Sequence, residues 1–169
     1  MTSEITQILT RVQVEQKIRR IAFEIYENNF EQSEVILAGV SGEGYELAQR
    51  VAAVLQQIAP LRATVMKINL DKTIRQQPPI HLDGAETVFT GKSVIVVDDV
   101  LNSGRTLAFA LQPFLNVPLT SLKVAVIVDR DHKRYPVAAD YIGYKLSTTL
   151  TDHVEVILGD GERMGVYLR

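Results

Sequence analysis

Two adjacent carboxylates follow an aliphatic run in the middle of the chain. Residues 94–107 read VIVVDDVLNSGRTL, so Asp98 and Asp99 come directly after four aliphatic side chains. Two neighbouring carboxylates can accept hydrogen bonds from adjacent hydroxyl groups, such as the 2′ and 3′ hydroxyls of a ribose. They can also hold a hydrated Mg²⁺ ion nearby. The pair therefore indicates a site for a sugar diol.

The residues after the acidic pair have the composition of an anion-binding loop. Gly104 permits close approach of the backbone, and Ser103 and Thr106 add hydroxyl donors. A helix is predicted to follow at once, and the free N–H groups at a helix N-terminus attract phosphate. A diol site beside a phosphate site describes a ribose 5-phosphate.

The elements that must position these residues alternate between strands and helices. Helical periodicity predicts helices at about 12–29, 44–58 and 107–114, and aliphatic runs predict strands at 35–40, 63–70, 93–97 and 123–128. Weaker patterns predict strands at 154–158 and 165–168, joined around residues 159–161. Buried strands that alternate with helices are typical of a parallel sheet covered on both faces. We therefore predict an α/β fold in three layers, with a mainly parallel, twisted sheet.

Ligands of such sheets bind beyond the carboxyl ends of the strands. The places to search are therefore the residues after Val40, Val97 and Val128. One connection is unusually long: residues 71–92 are polar, contain two adjacent prolines and have no clear period. A connection of this length in a compact domain is usually functional or mobile.

Composition places limits on the class of protein. The chain has 169 residues, 46% of them hydrophobic, and we expect one domain over residues 1–169. The net charge of −2 provides no general attraction to nucleic acid or membranes. There is no cysteine, and the three histidines lack metal-ligand spacing, so neither thiol catalysis nor a zinc site is expected. No membrane span or signal peptide is indicated, and the cytoplasm is the expected location.

The 94–107 stretch closely resembles the phosphoribosyl pyrophosphate (PRPP) signature of the type I phosphoribosyltransferases. A narrower resemblance extends along residues 124–143, VAVIVDRDHKRYPVAADYIG. This region is similar to the bifunctional pyrimidine-operon attenuators that are also uracil phosphoribosyltransferases. The resemblance implies Mg²⁺-dependent transfer of phosphoribose from PRPP to a nucleobase, with uracil favoured. It also implies a homodimer and a small hood over the base, formed by the N-terminal segment and residues 141–169.

The resemblance also assigns roles to residues of this sequence. Asp98 and Asp99 would bind the ribose hydroxyls at the reacting sugar, and the Mg²⁺ ion would be held mainly by PRPP and water. The 5-phosphate would be bound by Leu101, Asn102, Ser103, Gly104, Arg105 and Thr106. The pyrophosphate loop would include Val40, Ser41 and Gly42. Asp129 and Arg130 would lie near the base, residues 141–151 would cover the base, and residues 71–92 would close over PRPP.

Two residues depart from the family pattern. The attenuators usually carry a basic residue followed by Thr-Arg-Gly in the pyrophosphate loop, where this chain has Ser41, Gly42 and Glu43. A carboxylate at Glu43 would disfavour a tetra-anionic substrate unless it points away. Purine-specific relatives place an acid where Asn102 stands, so the neutral amide argues against a purine base.

Two functions other than catalysis remain open from the sequence. The Ser41 and Glu43 departures allow a regulatory protein that binds PRPP or a nucleotide with little turnover. An attenuator that binds RNA is a special case, which the net negative charge does not favour. Paired acids at a strand end also occur in receiver-like signalling domains, but the Ser-Gly-Arg-Thr continuation has no role there.

Overall fold

The computed structural model describes residues 4–83, 89–147, 149 and 152–169. Within these residues the chain forms nine strands and three helices. In chain order they are β1 (Thr6–Leu9), α1 (Arg11–Asn28), β2 (Glu34–Val40), α2 (Glu43–Ile58), β3 (Arg62–Asn69), β4 (His81–Asp83), β5 (Ser93–Leu101), α3 (Arg105–Leu115), β6 (Ser121–Asp129), β7 (Tyr141–Lys145), β8 (Val154–Ile157) and β9 (Gly165–Leu168).

The larger sheet has the strand order β4-β3-β2-β5-β6-β7. Strands β3, β2, β5, β6 and β7 are parallel, and β4 pairs antiparallel with β3 at the edge. The predicted α/β fold with a mainly parallel sheet is confirmed. Helix α2 leads from β2 outward to β3, whereas α3 leads from β5 outward to β6 in the other direction. The strand order therefore reverses between β2 and β5, and the loops after these strands leave a crevice in which ligands of such folds bind.

Alternate side chains along the buried strands point to opposite faces of the sheet and pack in two separate apolar clusters. Val35 and Leu37 of β2 pack in one cluster with α1 and α2, and Ile36 and Ala38 pack in the other cluster with α3. Because β2 is covered on both faces, it is a continuous aliphatic run. The helices thus form the outer layers on either side of the sheet, as the sequence predicts.

A second, antiparallel sheet has the order β1-β9-β8. Its inward side chains, among them Leu9, Val156 and Val166, join the apolar cluster on the α1 and α2 face. The hairpin of β8 and β9 is predicted by the sequence, whereas β1 is not. Residues 141–145 of the segment assigned to the hood form β7, which pairs with β6 in the larger sheet. A hood formed by the N-terminal segment and the residues after β7 stays a prediction.

Two further boundaries differ from the prediction. Strand β5 does not end before the acidic pair but continues through Asp98 and Asp99 to Leu101, whose partner is Asp129 of β6. The long connection 71–92 contains β4, which completes the sheet edge, and its residues 84–88 lie outside the described part of the chain. In the part of the chain that is described, no helix is long and apolar enough to cross a membrane.

Candidate active site

The acidic pair lies near the end of β5, beside the point where the strand order reverses between β2 and β5. Asp98 is 1% exposed, and its Oδ1 accepts a hydrogen bond from the Asp99 amide at 2.9 Å. Asp99 Oδ1 accepts from the Val100 amide, also at 2.9 Å. Each carboxylate is thus bound by the next amide of its own strand, and this holds both side chains in place before any ligand arrives.

Gly44 allows helix α2 to begin directly against the acidic pair. A Cβ atom at Gly44 would lie 2.8 Å from the Val97 carbonyl oxygen and 3.0 Å from Asp98 Oδ1. Both distances are shorter than van der Waals contact, so a residue with a side chain would force α2 and β5 apart. The positive end of the α2 dipole is therefore held close to two carboxylates.

Lys72 pairs with both members of the acidic pair. Its Nζ lies 2.8 Å from Asp98 Oδ1 and 3.2 Å from Asp99 Oδ1. Lys72 comes from the connection after β3, and its side chain is 40% exposed. The sequence marks Lys72 only as one of several charges in a polar loop, and no spacing rule links it to two acids so much later in the chain. In this state the ammonium group occupies the place of a cationic or hydroxyl ligand.

The pKa values of the two carboxyl groups are shifted in opposite directions. Burial, together with the charge of Asp99, raises the pKa of Asp98 to about 8. Burial opposes ionisation of Asp99 as well, but the charge of Lys72 outweighs it and keeps the pKa of Asp99 below its ordinary value. Burial also opposes the charge on Lys72, yet the two carboxylates prevail and raise its pKa. Asp98 Oδ2 is buried without a hydrogen-bond partner among the described residues.

The loop from Leu101 to Thr106, called here the phosphate loop, leads from β5 into α3. Gly104 has a φ of 91°, in the left-handed region, and gives α3 no side-chain cap. Ser103 Oγ accepts from the Arg105 amide at 3.3 Å, which leaves the hydroxyl hydrogen free to donate. A cavity of about 50 Å³ is lined by this loop, Lys72 and Asp98. The structure thus brings the predicted phosphate loop and Asp98 of the acidic pair to one cavity.

Two side chains of the phosphate loop point elsewhere. Asn102 Oδ1 accepts a hydrogen bond from Arg130 at 3.0 Å. The Arg105 guanidinium lies 5.0 Å from the centre of the Phe109 ring and donates to the Arg75 carbonyl oxygen. At these positions, binding of a phosphate would therefore depend on main-chain N–H groups more than on side chains.

The predicted pyrophosphate loop, Gly39–Gly44, comprises the last two residues of β2, the two connecting residues Ser41 and Gly42, and the first two residues of α2. The Ser41 amide donates to the Ile68 carbonyl at 2.9 Å, and Ser41 Oγ donates to the Leu70 carbonyl at 3.1 Å. Ser41 thus fastens the connection that carries Lys72. Glu43 turns toward the small sheet, where its Oε2 accepts from the Leu158 amide at 2.8 Å. Burial raises the pKa of Glu43, and the charge of Asp99 contributes to the same shift.

Comparison with known proteins identifies the family. Residues 4–158 match the model of the phosphoribosyl transferase domain. The chain belongs to this family. It is 31% identical over 165 residues to the bifunctional protein pyrR of Enterococcus faecalis, covering 94% of this chain and 92% of the relative. It is 36% identical over 163 residues to bifunctional protein PyrR of Bacillus pumilus, covering 90% of each.

The fold matches that of solved phosphoribosyltransferases. A hypoxanthine-guanine phosphoribosyltransferase from Bacillus anthracis superposes with a TM-score of 0.76 at 20% identity, covering 97% of this chain and 98% of the other. The resemblance to type I phosphoribosyltransferases and the narrower resemblance to the bifunctional pyrimidine-operon attenuators are therefore both confirmed. This phosphoribosyltransferase acts in nucleotide metabolism and transfers phosphoribose to a base.

Asp129 and Arg130, which the sequence assigns to the base, lie in different surroundings. Asp129 borders a cavity of about 170 Å³, together with Lys133, Lys145 and Ser147. Its Oδ1 accepts from the Asp131 amide at 2.9 Å, and Lys133 Nζ lies 3.8 Å from its Oδ2. Arg130 instead is 8% exposed and donates to oxygen atoms of two different loops. Contact of either residue with a base stays a prediction.

Proposed function

We propose that this phosphoribosyltransferase transfers phosphoribose from PRPP to uracil, with Mg²⁺, and releases pyrophosphate. The observation that carries the proposal is the joint cavity of Asp98 and the phosphate loop at the point where the strand order reverses. In one place it offers acceptors for a ribose diol and N–H donors for a 5-phosphate.

The reaction needs charge stabilisation and positioning more than proton transfer. Asp98 and Asp99 accept hydrogen bonds from the ribose hydroxyls and place negative charge beside a sugar that becomes positively charged as the pyrophosphate leaves. The phosphate loop fixes the other end of the sugar. Lys72 has to leave the acidic pair for the hydroxyls to reach it, since its Nζ lies within 3.2 Å of both carboxylates.

The donor set suits a Mg²⁺ ion that arrives with the substrate. Among the described residues there is no group of three or more His, Cys, Asp or Glu side chains able to enclose a metal. Mg²⁺ is commonly held by one or two carboxylates together with substrate phosphates and water. Asp98 and Asp99 supply such carboxylates, and the ion would neutralise charge on the departing pyrophosphate.

The choice of uracil rests on the resemblance and on two features of the site. The chain resembles attenuators that act on uracil, and its relatives bear the name bifunctional protein PyrR. Asn102, where purine-specific relatives have an acid, has its side-chain oxygen engaged by Arg130. The cavity beside Asp129 is small and polar, which suits a pyrimidine with N–H donors.

The test is pyrophosphate release from PRPP and Mg²⁺ with uracil, and then with orotate, guanine, hypoxanthine, xanthine and adenine. We expect release with uracil and none in the double variant Asp98→Asn/Asp99→Asn. Release with a purine alone would overturn the choice of base. If no base supports release, the enzymatic proposal fails.

A second candidate is a regulatory protein that binds PRPP or a nucleotide with little turnover. It is favoured by the pyrophosphate loop, where the Ser41 donors are engaged and Glu43 adds negative charge near Asp99. It predicts PRPP binding that the double variant abolishes, with turnover at background. Ordinary turnover with uracil would exclude it.

We further propose a cytoplasmic homodimer, as the resemblance to the attenuators implies. Sedimentation at micromolar protein concentration should give twice the mass of the chain. Binding to RNA is not favoured by the net charge of −2. A strong, salt-dependent affinity for the leader RNA of a pyrimidine operon would reverse this judgement.

A further inference from the structure

Arg130 joins two loops on opposite sides of the proposed reaction centre. Its Nη1 donates to Asn102 Oδ1 of the phosphate loop at 3.0 Å. Its Nη2 donates to the Asp152 carbonyl at 2.7 Å and to the Thr149 carbonyl at 3.3 Å. Both carbonyls belong to the connection between β7 and β8, residues 146–153. One planar group thus bonds to the phosphate loop on one side and to this connection on the other.

The attachment to the phosphate loop includes the main chain as well. The Arg130 amide donates to the Leu101 carbonyl at 3.1 Å. Slightly further along, the amides of Arg134 and Tyr135 both donate to the Ser103 carbonyl, at 2.8 and 3.0 Å. The segment after β6 therefore supports the phosphate loop through main-chain hydrogen bonds, and the Arg130 side chain in this segment also reaches the β7–β8 connection.

The two residues that accept from Arg130 in the β7–β8 connection, Thr149 and Asp152, also bond to each other. The Thr149 amide donates to Asp152 Oδ2 at 2.8 Å, and the Asp152 amide donates to the Thr149 carbonyl at 3.3 Å. The same connection begins at the cavity beside Asp129, because Leu146 and Ser147 line this cavity and the Leu146 amide donates to the Asp129 carbonyl at 2.9 Å. A shift of the connection at Leu146 and Ser147 would therefore alter the wall of the cavity proposed for the base.

Burial restricts movement of the Arg130 side chain between the two loops. Arg130 is 8% exposed, and a charged donor at such a depth is costly to separate from its acceptors. The guanidinium is also planar, so its two terminal nitrogens cannot move independently. A movement of Asn102 on binding of an anion would therefore be passed through Arg130 to Thr149 and Asp152.

We infer that Arg130 is a positioning residue that couples occupation of the phosphate loop to the order of the β7–β8 connection. The inference rests on the proposed ribose-phosphate site and assigns Arg130 a role through other residues, without contact to the base. Binding of the sugar phosphate alone should then order the base side of the site before a base is present.

The test is amide hydrogen exchange of the full chain, with and without saturating ribose 5-phosphate. In the wild-type protein we expect exchange to slow at least threefold in peptides that cover residues 101–107 and also in peptides that cover residues 146–153. In Arg130→Lys the first set should still slow and the second should not, because one ammonium group cannot bridge both loops. Asn102→Ala, which removes the acceptor and leaves the buried charge in place, should give the same result.

Arg62→Lys is the matched control, since Arg62 is an exposed arginine at the start of β3, at the opposite end of the strands. It should keep both responses. The coupling is overturned if wild-type residues 146–153 do not respond while residues 101–107 do. It is also overturned if Arg130→Lys and Asn102→Ala both keep the two responses. If neither segment of the wild-type protein responds, the coupling and the phosphate site both fail, whereas pyrophosphate release tests the catalytic proposal separately.

Discussion

Asp98 carries a cost to folding that should be visible as a change of stability with pH. The pKa of Asp98 in the folded protein is about 8, against 3.8 for an ordinary aspartate. Between these values the unfolded chain has lost the proton that the folded chain still holds, so stability falls as the pH rises from about 4 to 8. Asp98→Asn removes this titration. The side-chain oxygen of the introduced asparagine can still accept from the Asp99 amide and from Lys72.

The size of the effect follows from the width of the pH window. From pH 4.5 to pH 8 the pH changes by about 3.5 units, which corresponds to about 5 kcal/mol at most, and relaxation around the coupled pair reduces this to about 2–4 kcal/mol. The substitution also places an amide group at the unpartnered Oδ2 position, which costs about 1–3 kcal/mol, but that cost does not depend on pH. The stability of Asp98→Asn relative to wild type should therefore rise by about 2–4 kcal/mol between pH 4.5 and pH 8.

Urea denaturation of both proteins at pH 4.5, 6, 7 and 8 measures this difference. Asp71→Asn is the control, because hydrogen bonds from Thr73 lower the pKa of the exposed Asp71 carboxyl. Because a lowered pKa stabilises the folded protein only above the pKa of an ordinary aspartate, Asp71→Asn should be less stable than wild type by a nearly constant amount from pH 4.5 to pH 8. A difference between Asp98→Asn and wild type that stays constant from pH 4.5 to pH 8 would refute the reasoning. The same variant should lose pyrophosphate release, since the amide cannot become negatively charged beside the sugar and its nitrogen cannot accept a hydrogen bond from a ribose hydroxyl.

Three further changes test other contacts. Lys72→Met should raise the pH at which the acidic pair releases its proton, measured by carboxyl ¹³C NMR, whereas Arg75→Met should leave that pH in place. Gly44→Ala should lower the free energy of unfolding by about 1–3 kcal/mol, because the new Cβ meets β5 main-chain atoms. Gly161→Ala is the control and should lower it much less, because a Cβ has room there. Equal losses in the two variants would contradict the contact between Gly44 and β5. Glu43→Gln keeps an acceptor for the Leu158 amide and removes a charge, so PRPP should bind about three- to tenfold tighter by calorimetry, with Glu31→Gln as the neutral control.

The parts of the fold that the sequence predicts are those in which one local pattern decides the outcome. Strand β2 and the interior of β5 are buried on both faces, and a continuous aliphatic run has few other uses. Helix α2 carries a regular apolar stripe. The acidic pair is predictable for a related reason, because two charges after such a run are costly unless they have a function.

The elements that the sequence does not predict depend on partners far away in the chain. Strand β1 has four residues and three of them are not buried, so pairing with β9 and not its own pattern makes it a strand. Strand β4 is formed in the same way by β3. The sequence predicts that β5 ends before the acidic pair, because charged residues commonly follow the last residue of a buried strand. In the fold, Asp98 and Asp99 take hydrogen bonds from their own strand, and pairing with β6 carries β5 on to Leu101.

Side-chain partners within the site could not be predicted for the same reason. Nothing local distinguishes Lys72 from Arg75, and only the tertiary fold places one of them on two carboxylates. Arg130 follows a buried strand at a position typical of ligand contacts. Its guanidinium turns inward because three oxygen acceptors from two other loops meet there.

The small sheet has a consequence for the order in which the molecule is assembled. Thr6 of β1 pairs with Leu168 of β9, so this sheet cannot form until β9 has been synthesised. The strands of the larger sheet from β2 to β6 can meet earlier, because each pair is closed by a shorter stretch of chain. Until β9 arrives, the first strand has no partner and its edge is exposed to other chains. A nascent chain stalled before β9 should therefore contain a packed central sheet and an unprotected N-terminal segment, which a protease would remove first.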